Sequence, residues 1–263
     1  VCAVSVWWLF TLGAQRDQTS RPREMMFFIF ELGLPTGEII GGQEAKPHSR
    51  HYMAYLEVQV GQVKKKCGGF LVKTNFVLTA APCNGDKIIV KLGAHNISEQ
   101  ERSQQKIPVR RQIPHLQYDK KTLNNDIMLL QLSRNAVLNN WVRLIPLPNA
   151  KSRVRPGSMC SVAGWGRTSW NSRTDILHEV DLEVVKDNMC QLYPGYNPSA
   201  MLCVRKPSLG KLPYQGDSGG PLVCEGIAHG IASYVDEHLW EPSVFTRLST
   251  FIPWIQNILQ KQH

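Results

Sequence analysis

Apolar residues in this chain come in short runs, broken by glycine, proline, asparagine and aspartate. Runs of that length with turn residues at their ends read as strands of an all-β domain, because a strand needs only a handful of residues to cross a sheet. The pattern predicts strands over Tyr52–Val60, Phe70–Thr79, Lys87–Leu92, Ile127–Leu132, Met159–Ala163, Glu179–Val185, Pro221–Val223, Ile227–Tyr234 and Ser243–Arg247. A helical period emerges only at the end, where Pro253–Leu259 reads as an amphipathic helix with Pro253 suited to its first turn. Prolines 146, 148 and 156 cluster with Gly157 and divide the strands into an earlier and a later group near residues 140–155. No internal repeat or low-complexity tract interrupts either group.

The first 38 residues follow a different pattern. Residues 1–13 are apolar, Arg16 to Glu24 is charged, and Met25 to Leu34 is apolar again. Neither apolar run is long enough to span a bilayer as a helix. The second ends in Leu34-Pro35-Thr36-Gly37-Glu38, much like the tail of a signal peptide, so residues 1–38 are read as a leader and 39–263 as one domain. The whole chain carries +9; residues 1–38 hold three basic and four acidic residues, which leaves +10 on the remainder. Such a charge points to polyanionic partners: sulfated glycans, anionic surfaces or nucleic acid. Six of the seven cysteines lie in the domain, an even number that fits three disulfides and an oxidising compartment, with fifteen pairings open. Asn96-Ile97-Ser98 is a glycosylation sequon and agrees with secretion. No group of His, Cys and Asp has metal-ligand spacing, and no cofactor is expected.

The chemistry is concentrated in Gly216-Asp217-Ser218-Gly219-Gly220-Pro221. A serine in a glycine-bounded turn exposes its hydroxyl, and the amides of Gly216 and Ser218 can point at one oxyanion. This run, with Ile39-Ile40-Gly41-Gly42, Cys67-Gly68-Gly69-Phe70, Thr79-Ala80-Ala81-Pro82-Cys83, Asn125-Asp126-Ile127-Met128 and Ala163-Gly164-Trp165-Gly166, resembles the trypsin-like serine proteases. Gly37-Glu38 before Ile39, Pro47-His48-Ser49-Arg50 and Leu92-Gly93-Ala94-His95-Asn96 narrow the resemblance to the granule branch of granzymes, cathepsin G, duodenase and mast-cell chymases. It covers the chain from Ile39 onward. It implies two antiparallel six-stranded β-barrels with a C-terminal helix, disulfides Cys67–Cys83, Cys160–Cys224 and Cys190–Cys203, a monomer, and a secreted or granule-stored protein.

The resemblance also assigns roles. Ser218 stands at the nucleophile, Asp126 at the aspartate that orients the base, Gly216 and Ser218 at the oxyanion hole. Asp217 would pair with the Ile39 amine once the leader is cut. The base itself is missing: Pro82 occupies the histidine position and has neither a titratable group nor an N–H. His95, His115, His178, His229 and His238 fall where the family has no catalytic group. With one donor and the imidazole gone, Asp126 should have a raised pKa if buried. Leu212 stands at the specificity-pocket floor, Ser243 at its deep wall, and Val235 where the family has a glycine. The expectation is therefore a serine-protease homologue, catalytically impaired and acting by binding to a protein or peptide ligand and to sulfated glycans or proteoglycans. The alternative is an active serine endopeptidase that cleaves after apolar residues.

Overall fold

The computed structural model describes residues 42–166, 174–207, 218–235 and 242–261. The expected leader, and with it Ile39, lies outside them, as do Leu212, Gly216, Asp217 and His238. Six strands form the first barrel: β2 (Met53–Val60), β3 (Val63–Lys73), β4 (Phe76–Thr79), β5 (Lys87–Leu92), β6 (Gln105–Pro114) and β7 (Met128–Leu132), after the two-residue β1 (Gln43–Glu44). They close in the order β2-β3-β4-β7-β6-β5. The second barrel comprises β8 (Met159–Gly164), β9 (His178–Val184), β10 (Met201–Arg205), β11 (Pro221–Cys224), β12 (Ile227–Val235) and β13 (Ser243–Arg247). Its order is β9-β10-β13-β12-β11-β8; β8 pairs back onto β9, and β1 adds to the outside of β9. Closing each sheet leaves almost no unpaired edge, which suits strands this short. The segment between β7 and β8 joins the barrels where the proline cluster divides the sequence.

Each barrel has its own apolar interior. Leu56, Phe70, Phe76, Leu78, Val90 and Leu129 fill the first, and Val162, Leu182, Leu202, Leu222 and Phe245 the second. Three disulfides join Cys67–Cys83, Cys160–Cys224 and Cys190–Cys203, the pairing the resemblance implies. The helix α1 (Leu248–Gln260) packs against the first barrel, with Leu248, Phe251, Ile252 and Ile255 buried in the same cluster as Leu56 and Phe70.

The structure departs from the sequence reading in several elements. The run Phe70–Thr79 is two strands, because the chain turns at Thr74 and Asn75 between β3 and β4. β3 begins earlier, at Val63, and Lys64, Lys65 and Lys66 pair with the outer end of β2. β1, β6 and β10 have no counterpart in the expectation. In β6 only Ile107 is fully buried and prolines occur at both 108 and 114, so alternation is too weak to register. The helix starts five residues before the expected Pro253, which lies inside it. Leu248, Phe251, Ile252 and Ile255 have the i, i+3, i+4, i+7 spacing of a buried helical face, and that face sets the start.

Candidate active site

Three segments meet where the barrels touch: the turn after β4, the residue pair before β7, and the approach to β11. Gly68 of β3 donates its N–H to the carbonyl of Ser218 (3.0 Å), and its own carbonyl accepts the Thr79 hydroxyl (2.7 Å). On the other side the N–H of Gly219 bonds the carbonyl of Ala232 (2.9 Å), and the N–H of Ala232 bonds the carbonyl of Gly220 (2.8 Å). The Ser218–Gly220 backbone is thus clamped between β3 of one barrel and β12 of the other, while Ser218 itself is exposed. Gly219 has φ +95°, and a Cβ there would lie 2.2 Å from the Thr79 hydroxyl and 2.5 Å from the Gly68 carbonyl. Only glycine satisfies both the dihedral and the space.

After β4 the chain makes one 3-10 turn over Ala81–Cys83, closed by the N–H of Cys83 on the carbonyl of Ala80 (3.1 Å). Proline is at home at the start of such a turn, where its missing N–H costs nothing and its φ is already right. Ala81 and Cys83 are buried and Pro82 is exposed. The neighbours of Pro82 reach in two directions. The Ala81 N–H donates to the Asp126 carboxylate (Oδ1, 2.7 Å), and Cys83 Sγ lies 3.5 Å from the Ser218 carbonyl. Position 82 therefore lies on the short stretch of backbone that bridges the carboxylate and the serine loop.

Asp126 is 1% exposed. Its second oxygen, Oδ2, accepts the hydroxyl of Ser233 on β12, and its main-chain carbonyl accepts the hydroxyl of Thr246 on β13 (2.7 Å). Burial pushes its pKa up to about 6, although the bonds from Ser233 and Ala81 pull it down. The rise agrees with the expectation for a buried aspartate that lacks an imidazole partner. Desolvation, then the charges of Asp126 and Asp119, push Tyr118 up to about 12.

The histidines have other settings. His95 meets Glu44 (2.9 Å), Nδ1 of His178 lies 3.0 Å from the carbonyl of Ile176, and His115 packs against Phe251 and Trp254. Burial lowers the pKa of His115 and of His229. On the specificity side, Ser243 is buried and lies in register with Val204 of β10 and Val235 of β12. The Asn96 side chain donates to Glu99 (2.8 Å) and accepts the Ser98 hydroxyl (2.7 Å) at the surface. Ser233 was missed as a partner of Asp126, from which it is 107 positions distant in the chain. Nothing local in the sequence marks that bond.

The family model described as Trypsin matches residues 39–255. The chain belongs to the trypsin family. It is 49% identical to human cathepsin G over 90% of this chain and 93% of that protein, and 51% identical to duodenase-1 of Bos taurus over 90% and 96%. Human granzyme H is 48% identical over 90% of this chain and 97% of its own length. Among solved structures, one titled "Structure of GrC" superposes with a TM-score of 0.79 at 46% identity, covering 84% of this chain and 99% of that one. The trypsin-family fold of two closed six-stranded barrels and a C-terminal helix is thus shared in full. The expected location, secreted or in a secretory granule, agrees with these relatives, which are granule proteases. Among the described residues, no helix is long and apolar enough to cross a membrane.

Proposed function

We propose that this trypsin-family chain is a granule-type serine-protease homologue whose peptide-bond hydrolysis is impaired, and that it acts by binding. The observation that carries the reading is the setting of Pro82. It lies on the backbone stretch between a buried, doubly hydrogen-bonded Asp126 and the exposed Ser218, and a proline there offers no proton acceptor. Peptide hydrolysis requires a group that takes the Ser218 proton and returns it to the leaving amine. Loss of the base alone costs roughly a millionfold in a comparable triad, and what remains comes from the oxyanion hole and binding. In this reading Ser218 is the vestigial nucleophile, Gly216 and Ser218 supply the oxyanion-hole amides, and Asp126 is an orienting aspartate with nothing to orient. The Ile39 amine pairs with Asp217 after leader removal. Leu212, Val235 and Ser243 make an apolar, partly obstructed pocket.

Two further observations support a binding role. A groove of about 370 Å³ on the first barrel is lined by Lys64, Lys65, Lys66 and Lys87, with Glu57 as its one carboxylate. That cluster suits a sulfated glycan as well as an acidic peptide. The Asn96 sequon sits in a half-exposed turn, which suits glycosylation.

The relatives are active proteases at about half identity, which favours the second reading, an active endopeptidase of apolar specificity. One experiment separates the two. Processed protein is labelled with a fluorophosphonate probe and assayed on peptides, alone and as Ser218→Ala and Pro82→His. Impairment requires no labelling of the parent and labelling of Pro82→His. Peptide cleavage by the parent that disappears in Ser218→Ala establishes the active reading instead.

A further inference from the structure

The segment joining the barrels contains an apolar surface that neither barrel uses. Between Arg134 and Ile145 the chain alternates two kinds of apolar residue. Ala136 (5% exposed), Val142 (0%) and Ile145 (3%) point into the core. Val137 (62%), Leu138 (46%), Trp141 (43%) and Leu144 (40%) stand in solvent. Single exposed apolar residues need no explanation, but four within eight positions form a patch.

The loop is built to hold that patch out. Gln105 of β6 grips Val137 from both sides, its amide donating to the Val137 carbonyl (2.7 Å) and its carbonyl oxygen accepting the Val137 N–H (2.9 Å). The Asn139 side chain accepts the N–H groups of Trp141 (2.8 Å) and Val142 (3.0 Å), and the Asn139 N–H bonds the carbonyl of Val142 (3.0 Å). The N–H of Arg143 bonds the carbonyl of His51 (3.1 Å). A loop tied at its base, tip and exit cannot fold its apolar tip inward to escape water. The exposure is a property of the fold.

The charges on this segment are of one sign. Arg134 donates to the carbonyl of exposed Lys106 at the base (3.2 Å), and Arg143 Nε approaches the Asn139 carbonyl at 3.4 Å, which keeps its charge beside the tip. From Ile127 to Thr174 the sequence has seven arginines and lysines and not one aspartate or glutamate. A fixed apolar tip with a tryptophan, flanked by two arginines and without a carboxylate on its own segment, matches the layered chemistry of an anionic lipid surface. Apolar side chains enter the acyl boundary, tryptophan sits at the headgroup level, and arginines meet lipid phosphates.

We propose that the Val137–Leu144 loop docks this protein on anionic membranes, with Leu138 and Trp141 as the inserted anchors and Arg134 and Arg143 as the headgroup contacts. The docking is independent of hydrolysis at Ser218 and stands whichever reading of the site holds.

The test is co-sedimentation with vesicles of phosphatidylcholine alone and of phosphatidylcholine with phosphatidylserine. The protein should bind the second far more than the first. Leu138→Ser with Trp141→Ser should weaken binding at least about tenfold, since each removes a buried anchor. Arg134→Gln and Arg143→Gln should each weaken it about fivefold and reduce the preference for phosphatidylserine. Thermal melts confirm that the variants are folded; Leu138→Ala with Trp141→Tyr repeats the first comparison if the serine pair does not fold. Failure of the parent to bind phosphatidylserine vesicles overturns the proposal, and so does unaltered binding by the anchor variants. A dimer in sedimentation equilibrium that the anchor substitutions abolish assigns the patch to a second copy of this chain and also overturns it.

Discussion

At the scale of single residues, the site turns on one buried carboxylate. Asp126 has a pKa of about 6 against an ordinary value of 3.8. The folded state therefore holds its proton more tightly than the unfolded chain. That stabilisation is fully present below about pH 4 and is lost as pH rises through about 6, when the buried carboxylate must ionise. The effect is on the order of 3 kcal/mol for two pKa units. Asp126→Asn can still accept from Ala81 and can donate to Ser233, and it never ionises. Its stability relative to the parent should therefore rise between pH 4 and pH 7, as thermal melts across that range would register; a flat difference would contradict the raised pKa. Pro82→His should act in the same direction, less completely. An imidazolium beside Asp126 lowers the carboxyl pKa and shrinks the parent's pH dependence. It should also regain probe labelling at Ser218 but little peptide turnover if, as proposed, Val235 stands at the glycine position of the substrate strand. Pro82→His with Val235→Gly should recover measurable cleavage after apolar residues, and the two changes form a double-mutant cycle on turnover. Full turnover by Pro82→His alone would show that Val235 is harmless.

At the scale of elements, two positions set the geometry. Gly219 lies where the serine loop passes between β3 and β12, and its left-handed backbone has no room for a side chain. Gly219→Ala should cost more than about 3 kcal/mol, from strain and overlap together, and lower Tm by about 10 °C. In α1, Pro253 is exposed and interior, so it withholds a helical hydrogen bond without packing into the core. Pro253→Ala should stabilise the protein by about 2 kcal/mol, the interior penalty less the entropy that proline removes from the unfolded chain. A denaturation midpoint equal to the parent's would mean that the helix start already accommodates the ring.

At the scale of the molecule, cross-links and charge dominate. The Cys160–Cys224 bond spans 64 residues and Cys190–Cys203 spans 13. In the chain-entropy account their removal costs about 4 and about 3 kcal/mol. Paired alanine substitutions should rank in that order in chemical denaturation. The domain's +10 charge should give strong, salt-sensitive retention on heparin. Charge reversal at Lys64 and Lys65 should shift elution to lower salt if the first-barrel groove is the contact. Elution with neutral proteins would exclude the glycan reading.

The sequence by itself determined the all-β class, most strands, the break between barrels and the family to which the chain belongs. Those signals are local: alternation within a strand, turn residues between strands, and contiguous motifs such as the run around Ser218. It also supplied the residue on which the proposed impairment rests, since the chemistry of Pro82 is fixed by its identity. Tertiary structure decided what no window of sequence contains. Ser233 reaches Asp126 across 107 positions, the clamp on Ser218 draws on both barrels, and β6 pairs despite its prolines because barrel closure rewards it. The raised pKa of Asp126 belongs to the same class, because burial is a sum over residues that meet only when both barrels have closed.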